Sequence, residues 1–299
     1  MKKVFNGIYK LKPIIHQALW GGYKLSSQLG EDLFISELWE YVNIPSCSNQ
    51  IYDFNNEINI NHFIQSSDFP IIIKILNTEA NLSIQVHPDK TEMLYIIECC
   101  GDAKIGLGLK RDALQNIKEI IDNKTICTYM HYFNVVKGSV VYIPAGLIHT
   151  YGSGIVAIEI QNNSTETYRL YDFDRIINGQ KRELHISQAI NVLNNNFAQD
   201  SYYKQEKHNS KFELLFSCKH FDVYKLAINR ESIKIFKKHL HCSLVCIRGE
   251  GNVNCCNIKE LDSMFVMPEH EILEFNSNTL LEIIITTKHV KHTDRLITL

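Results

Sequence analysis

The sequence predicts a mainly β fold, either a barrel or a sandwich. Runs of apolar and β-branched residues of strand length dominate the chain, and Gly, Asn, Asp and Pro residues separate them. Many short strands at close spacing are typical of all-β barrels and sandwiches. The clearest runs are PIIIKIL (70–76), LSIQV (82–86), EMLYII (92–97), VVYIP (140–144), IVAIEIQ (155–161), FDVYKLAI (221–228), CSLVCIRG (242–249), MFVMP (264–268) and LLEIIITT (280–287).

Helical signals are fewer than strand signals. RDALQNIKEIIDN (111–123) and HISQAINVLNNNF (185–197) place apolar residues three and four positions apart, and YKLSSQLGEDL (23–33) predicts a shorter helix. A polar stretch begins at the end of the second of these segments and predicts a connection. We therefore expect one domain at 1–212 that contains the helices, and a smaller β domain at 213–299.

Composition excludes several classes of protein. The 299 residues include 31 Lys and Arg against 33 Asp and Glu, and this balance does not indicate a nucleic-acid partner. The N-terminal stretch has no apolar run typical of a signal peptide, and no segment approaches the roughly 20 apolar residues of a membrane span. The nine cysteines are odd in number and form no CxxC pair. We expect a soluble cytoplasmic protein with reduced thiols and no membrane partner.

Two motifs concentrate metal-ligating side chains. The stretch SIQVHPDKTEMLY has the spacing Q-x-H-x4-E at Gln85, His87 and Glu92, and GSVVYIPAGLIH has the spacing G-x5-P-x-G-x2-H and ends at His149. Gln85 and His87 are two residues apart on a predicted strand and therefore point to the same face. Two histidines and one carboxylate suit zinc in a catalytic site and equally suit Fe(II) in oxygenases. Ligand type alone leaves the metal open.

These two motifs resemble those of the cupin superfamily, with Gln85 where many cupins have histidine. The resemblance implies a jelly-roll β-barrel whose inward side chains bind one divalent metal ion through His87, Glu92 and His149, with Gln85 as a fourth ligand. It also implies a second, smaller cupin-like domain. In that domain MPEHEI (267–272) resembles the second motif only loosely, and we expect no metal there.

A more specific resemblance is to type I mannose-6-phosphate isomerase in its short bacterial form. The motifs that carry it occur in family order: WGGYKL (20–25), PIIIKIL (70–76), NLSIQVHPDKTEMLYII (81–97), IPAGLIHTYGSGIVAIEIQ (143–161) and TYRLYDFDR (167–175). The resemblance implies a zinc-dependent enzyme, an intramolecular oxidoreductase that interconverts mannose 6-phosphate and fructose 6-phosphate through a cis-enediol. It also implies one zinc ion per chain, a sugar phosphate as the partner, and Arg169 as the active-site arginine.

Three further residues have candidate roles. Glu159 shares a strand face with Ala157 and Gln161, which is compatible with a proton carrier in a cavity, although a solvated carboxylate is the alternative. Lys74 interrupts an apolar run and either meets the substrate or extends from a strand edge into solvent. Arg175 either binds the phosphate group or forms an exposed salt bridge.

Three departures from the family pattern keep other functions open. QVHPDKTE is contiguous where the family usually has an inserted loop, Val42 and Ile44 replace polar family residues, and Leu94 replaces a tryptophan. The alternatives are a non-catalytic cupin that binds a sugar phosphate, and a cupin enzyme that acts on another substrate. The sequence leaves the oligomeric state open.

Overall fold

Strands dominate the computed structural model, which describes residues 7–30, 32–52, 58–177, 179–193, 203–204 and 210–299. Helices are few and short. The predicted mainly β fold is therefore confirmed.

The strands of the described residues include every run predicted from the sequence. They are β1 (Ile8–Leu11), β2 (Ile14–His16), β3 (Glu37–Tyr41), β4 (Asn43–Ile44), β5 (Cys47–Ser48), β6 (Ile71–Thr78), β7 (Ile84–Val86), β8 (Glu92–Cys99), β9 (Lys104–Leu109), β10 (Met130–Asn134), β11 (Val140–Ile143), β12 (His149–Tyr151), β13 (Ile155–Asn162), β14 (Tyr168–Tyr171), β15 (Ile176–Ile177), β16 (Gln180–Lys181), β17 (Tyr203–Lys204), β18 (Phe212–Ser217), β19 (Phe221–Phe236), β20 (Cys242–Val253), β21 (Cys256–Lys259), β22 (Ser263–Val266), β23 (Ile272–Lys288) and β24 (Ile297–Thr298).

The helices are shorter than the segments predicted to contain them. They are α1 (Lys24–Leu29), α2 (Ile117–Asp122), α3 (Ile126–Tyr129) and α4 (Ile186–Val192), with 3₁₀ turns at Ile60–His62, Arg111–Asn116 and His292–Asp294. The segment predicted as one helix at 111–123 is a 3₁₀ turn followed by α2, because Asn116 leaves helical geometry with φ −119° and ψ 24°. The predicted helix at 185–197 ends at Val192, and positions 194–197 lie outside the described residues.

The contacts between Cα atoms divide the chain into two units. The central unit comprises residues 15–38 and 75–207, and the C-terminal unit comprises residues 1–14, 39–74 and 208–299. The predicted boundary at 212 stays a prediction. One boundary along the chain cannot separate the two units, because residues 1–14 and 39–74 belong to the C-terminal unit.

Two sheets build the central unit. One has the strand order β10-β9-β12-β7-β14, and the other has the order β17-β11-β8-β13-β6-β3-β2, with β2, β3 and β6 divided between the two units. A buried cluster takes side chains from both sheets, for example Leu94 and Ala157 from one and Ile105 and Leu107 from the other. The two sheets therefore pack face to face around a common core.

The outer face of the five-stranded sheet is partly covered by helices. Ile117, Ile120 and Ile121 of α2 and Ala189 of α4 belong to one buried cluster with residues of this sheet, such as Val86 of β7. The inner face is left to the core between the sheets. Along each strand, the side chains that face the core therefore alternate with the side chains on the outer face.

The C-terminal unit is built on an eight-stranded sheet. Its main path is β1-β22-β20-β23-β19-β18, with β21 paired to β20 and β24 paired to β19. The strands β19 and β23 are longer than predicted because their pairing continues past a bulge at Asn229–Glu231, next to Arg230 at φ 54°. Polar residues beyond the bulge interrupt the apolar runs, so the sequence pattern does not predict these parts of the two strands.

Glu40 on β3 is fully buried in the C-terminal unit. Neither of its carboxylate oxygens has a hydrogen-bond partner among the described residues, and the Ser263 hydroxyl donates instead to the main-chain carbonyl of Glu40 at 3.0 Å. Burial raises the pKa of the Glu40 carboxyl from 4.5 to about 8 and outweighs the opposing effect of Ser263. The folded protein therefore holds Glu40 neutral at pH 7.

We expect Glu40→Gln to stabilise the protein at pH 8 by roughly 2–4 kcal/mol and to change little at pH 4.5. The folded state holds this proton more tightly than the unfolded state, so stability from Glu40 falls as the pH rises from 4.5 to about 8. The measurement is the free energy of unfolding in urea at both pH values. Glu119→Gln, at an exposed helix position, is the control. An equal effect of Glu40→Gln at both pH values would contradict the assignment.

Candidate metal centre and active site

Strand register places three of the predicted site residues in one row. Gln85 of β7 lies opposite His149 of β12 on one side and opposite Arg169 of β14 on the other. Directly opposed residues of antiparallel strands point to the same face of the sheet. Leu107, the partner of His149 on β9, belongs to the core between the sheets, so this row faces inward.

The seven-stranded sheet, which faces the five-stranded sheet, supplies the carboxylates of Glu92 and Glu159. Glu92 begins β8 and lies opposite Gln161 of β13, and Glu159 lies opposite Leu94. Residues two apart on a strand share a face, so Glu92, Glu159 and Gln161 all point the same way as the core residue Leu94. The predicted common face of Glu159 and Gln161 is therefore confirmed as an inner face.

A turn in the second motif fixes the position of His87. Gly146 adopts φ 81°, a left-handed conformation that favours glycine, and its N–H donates to the main-chain carbonyl of His87 at 2.8 Å. This hydrogen bond joins the stretch after β7 to the turn before β12. The glycine between Pro144 and His149 therefore aligns the two motifs with each other.

The side chains of His87, Glu92 and His149 form a compact buried cluster. Their candidate ligand atoms lie within 4.8 Å of one another. His87 Nε2 is 3.4 Å from Glu92 Oε1, and His149 Nε2 is 3.4 Å from Glu92 Oε2. The Gln85 amide nitrogen lies 3.3 Å from His149 Nε2. The four residues predicted as a set are thus neighbours, while their role as metal ligands stays a prediction.

Main-chain carbonyls orient both imidazole rings. His87 Nδ1 lies 2.7 Å from the carbonyl oxygen of Glu166, and His149 Nδ1 lies 3.0 Å from that of Leu147. A proton on each Nδ1 satisfies these contacts and leaves the Nε2 lone pair directed at Glu92. Histidines that bind metals commonly have such a partner on the other ring nitrogen.

Electrostatics set the protonation states in the cluster. Burial lowers the pKa values of His87 and His149, and the Lys90 ammonium lowers them further, so both rings are neutral at pH 7. Burial alone would raise the pKa of Glu92, but the Lys90 ammonium at 2.7 Å holds it well below its usual range. Neutral imidazoles beside a carboxylate are the forms in which these groups bind a metal.

The cluster fits a divalent metal ion. His87 Nε2 is buried without a hydrogen-bond partner among the described residues, although it faces the Glu92 carboxylate. Buried polar atoms are normally satisfied, so an unpartnered nitrogen aimed at a carboxylate indicates a missing cation. Two imidazole nitrogens, one carboxylate and the Gln85 amide are suitable donors for zinc.

Tyr151 links the cluster to Glu159. The fully buried hydroxyl of Tyr151 lies 3.1 Å from Glu92 Oε2 and 3.2 Å from Glu159 Oε2. Burial and the two carboxylates raise the pKa of Tyr151 well above its ordinary value, so the phenol keeps its proton. The sequence-based reading missed Tyr151, although its position two residues after His149 on the same strand predicts the same inward face.

Lys90 was also missed from the sequence. It is 5% exposed and its ammonium contacts Glu92, two residues away. Lysine is rarely buried unless it is paired, and a surface position is the ordinary expectation in the turn sequence HPDKTE. The only available signal was its place between two predicted ligands.

The guanidinium of Arg169 uses only part of its hydrogen-bonding capacity within the described residues. One Nη donates to the carbonyl of Glu183 at 2.9 Å, and Nε is buried without a hydrogen-bond partner among the described residues. Burial lowers the pKa of Arg169, and the neighbouring positive charges of Arg182 and Arg175 add to this effect. Arg169 thus lies near two further arginines, and positive charge in this region attracts an anionic substrate.

Arg175 and Lys74, the two predicted substrate-binding residues, already have contacts in the structure. The Arg175 guanidinium pairs with Asp172 and donates to the carbonyl of Asn81 at 2.6 Å, so it is already engaged. Lys74 is buried on β6 and its ammonium lies 5.0 Å from the centre of the Trp39 ring. The substrate-binding roles of Lys74 and Arg175 stay predictions.

Comparisons with known proteins show which proteins this chain resembles. A family model described as "Phosphomannose isomerase type I, catalytic domain" matches residues 44–99. Mannose-6-phosphate isomerase ManA of Bacillus subtilis is 32% identical over an alignment of 210 residues that covers 64% of this chain and 65% of that protein. The probable mannose-6-phosphate isomerase GmuF of the same organism is 28% identical over 294 residues, 87% of this chain and 93% of that protein. The chain is therefore similar to type I phosphomannose isomerases.

Solved structures show that the family fold is shared. The crystal structure of the Bacillus subtilis mannose 6-phosphate isomerase has a TM-score of 0.84 at 23% identity and covers 95% of this chain and 100% of its own. A mannose 6-phosphate isomerase bound with zinc and yttrium has a TM-score of 0.72 at 12% identity over 95% of this chain and 100% of its own. The predicted cupin-type fold is therefore confirmed.

Within the described ranges, none of the helices combines the length and the apolar character needed to cross a lipid bilayer.

We expect Glu92→Gln to lower metal affinity by at least about tenfold, because it replaces an anionic ligand with a neutral amide of the same shape. The measurement is bound metal by mass spectrometry after dialysis against graded chelator. Glu98→Gln on the same strand, at an exposed position, is the control. A melting curve establishes that the variant is folded, since Lys90 loses its partner. Equal metal content in the two folded variants would remove Glu92 from the ligand set.

Proposed function

We propose that the protein is a metal-dependent aldose–ketose isomerase that interconverts mannose 6-phosphate and fructose 6-phosphate through a cis-enediol. The buried cluster of His87, Glu92 and His149 is the observation that carries this proposal. It occurs in a chain whose relatives are named mannose-6-phosphate isomerases. The inward Arg169 and Glu159 complete a set that suits this chemistry.

Zinc is the proposed metal, with His87, Glu92 and His149 as ligands and Gln85 as the fourth. A zinc ion held there supplies a Lewis acid that stabilises negative charge on a nearby substrate oxygen. The support in this chain is the donor set itself, with neutral imidazoles and an ionised carboxylate. A neighbouring fold is also described as bound with zinc.

Glu159 is the proposed proton carrier. Isomerisation removes a proton from C2 of the aldose, passes through the enediol, and returns a proton to C1 while the oxygens exchange carbonyl and hydroxyl character. A carboxylate within hydrogen-bond reach of the substrate can carry that proton in both directions. The Tyr151 hydroxyl holds Glu159 at 3.2 Å and thereby limits the orientations of the carboxylate.

Arg169 is proposed to stabilise negative charge in the transition state. The enediol form develops charge on the oxygens of C1 and C2, and a fixed guanidinium lowers its energy without reorganisation. The unpartnered Nε of Arg169 is a donor still available for such an oxygen. Lys90, whose ammonium is buried beside Glu92, adds positive charge to the same region.

Basic side chains are proposed to bind the phosphate group of the substrate. Arg175 and Lys74 remain the proposed substrate-binding residues. A phosphate that binds Arg175 competes with Asp172, which already accepts from this guanidinium. Arg182 also contacts Asp172 at 3.4 Å, so the group retains net positive charge.

The deciding experiment is a coupled assay that follows mannose 6-phosphate to fructose 6-phosphate with metal-replete protein. We expect turnover that a chelator abolishes and added zinc restores. Turnover insensitive to chelator would contradict the metal dependence. Folded, metal-loaded protein without turnover would favour a sugar-phosphate-binding cupin, and oxygen consumption in place of isomerisation would favour an Fe(II) enzyme.

We expect Arg169→Ala to reduce kcat by about 10²- to 10³-fold with unchanged metal content, because it removes a charge that acts mainly in the transition state. The kinetics are compared with Arg248→Ala, an exposed arginine of the C-terminal unit. Metal analysis accompanies each assay. A rate within twofold of that control would exclude Arg169 from the mechanism.

A further inference from the structure

A recess of about 370 Å³ lies on the central unit away from the metal centre. Thr150 lines the recess, while His149, the preceding residue on β12, points into the metal cluster. Successive residues of a strand point to opposite faces, so the recess opens on the outer face of the sheet. Its other main lining residues are Asn81, Asp102, Lys104, Tyr132, Ser153 and Phe173.

Gly106 lies between two residues that line the outer recess. It lies opposite Thr150 on one side and Tyr132 on the other. A Cβ at Gly106 would lie 2.8 Å from Thr150 Cγ2 and 3.2 Å from Tyr132 Cε1. Only a residue without a side chain therefore lets the tyrosine ring lie this close to the sheet.

Two aromatic rings are held at the recess. Tyr132 remains 45% exposed, which is unusual for a large ring on a sheet that is elsewhere covered by helices. Phe173 has φ 54°, a strained conformation for a residue other than glycine. Its ring lies 5.4 Å from the Arg175 guanidinium and 5.2 Å from the Tyr171 ring, so side chains two residues away on either side contact it.

The polar side chains of the recess are either fixed by a hydrogen bond or exposed without an ion pair. The Asn81 side-chain oxygen accepts the N–H of Ser153 at 2.9 Å, which fixes the amide plane. Lys104 and Asp102 are exposed, and neither forms an ion pair with any described residue. One positive and one negative charge sum to zero, so the lining offers hydrogen bonds without a net charge.

We infer that the outer recess binds the pyranose ring of a neutral sugar. Aromatic rings pack against the C–H faces of a pyranose, and amide, ammonium and carboxylate groups together bond its hydroxyls as donors and acceptors. A net charge of zero gives no preference for a phosphate, which separates this ligand from the sugar phosphate of the metal centre. The recess has the size of a small-molecule site.

The neutral pyranose has two sources, a free hexose or the end of a glycan. Both present the same hydroxyl and C–H pattern to the recess. A free hexose fills it alone, whereas a glycan extends past its open side and makes additional contacts. Binding to the outer recess is independent of the proposed isomerase activity, since no residue is shared with the metal cluster.

The test is saturation-transfer NMR with D-mannose, D-glucose and mannotriose on metal-loaded protein that is first saturated with fructose 6-phosphate. The sugar phosphate fills the metal centre, so any remaining signal reports another site. We expect at least one neutral sugar to bind, and its Kd to rise at least fivefold in Tyr132→Ala and in Lys104→Ala. Tighter binding of mannotriose than of mannose identifies a glycan end, and equal binding identifies a free hexose.

Tyr52→Ala is the matched control, because Tyr52 is 50% exposed and belongs to the other unit. Lys104→Ala changes only an exposed side chain, so the test remains decisive even if Tyr132→Ala does not fold. The proposal is overturned if fructose 6-phosphate abolishes the signal, if Lys104→Ala binds like the control, or if none of the three sugars binds.

Discussion

The burial of the Glu92 carboxylate is the constraint on which the arrangement of the metal centre depends. An ionised carboxylate with 1% exposure is costly unless positive charge or hydrogen bonds surround it. Lys90 supplies a charge at 2.7 Å, and the two imidazoles present nitrogens at 3.4 Å. A divalent cation held by His87, Glu92 and His149 would offset the remaining cost.

Strand register places the other residues of the site relative to the metal centre. The pairing of β12, β7 and β14 puts His149, Gln85 and Arg169 in one row, and a slip of one residue would turn Gln85 away from its neighbours. The core residues behind the row resist such a slip, since they would move to the outer face. The same sheet thus fixes the metal cluster by its inner face and leaves the outer recess on the other.

The sequence predicted the strands and the candidate ligands because both have short-range signals. Period-2 patterning revealed the inward face of Glu159, and the spacing of Gly146 and His149 revealed the turn. The burial of Lys90 had no local signal, since it depends on contacts made by folding. The assignment of residues 1–14 and 39–74 to the C-terminal unit likewise depends on long-range pairing, such as that of β1 with β22.

Two buried carboxylates show why residue type and burial alone do not define a functional site. Glu40 and Glu92 are both buried glutamates on strands, yet the pKa of Glu40 is raised and that of Glu92 is lowered. Burial acts in the same direction on both, so the difference comes from the groups around them. Glu92 has the positive charge of Lys90, whereas Glu40 has Ser263 and the like charge of Asp262. A neutral acid cannot offer a metal the anionic oxygen that Glu92 offers, so the chemistry of this chain is decided by which carboxylate receives positive neighbours.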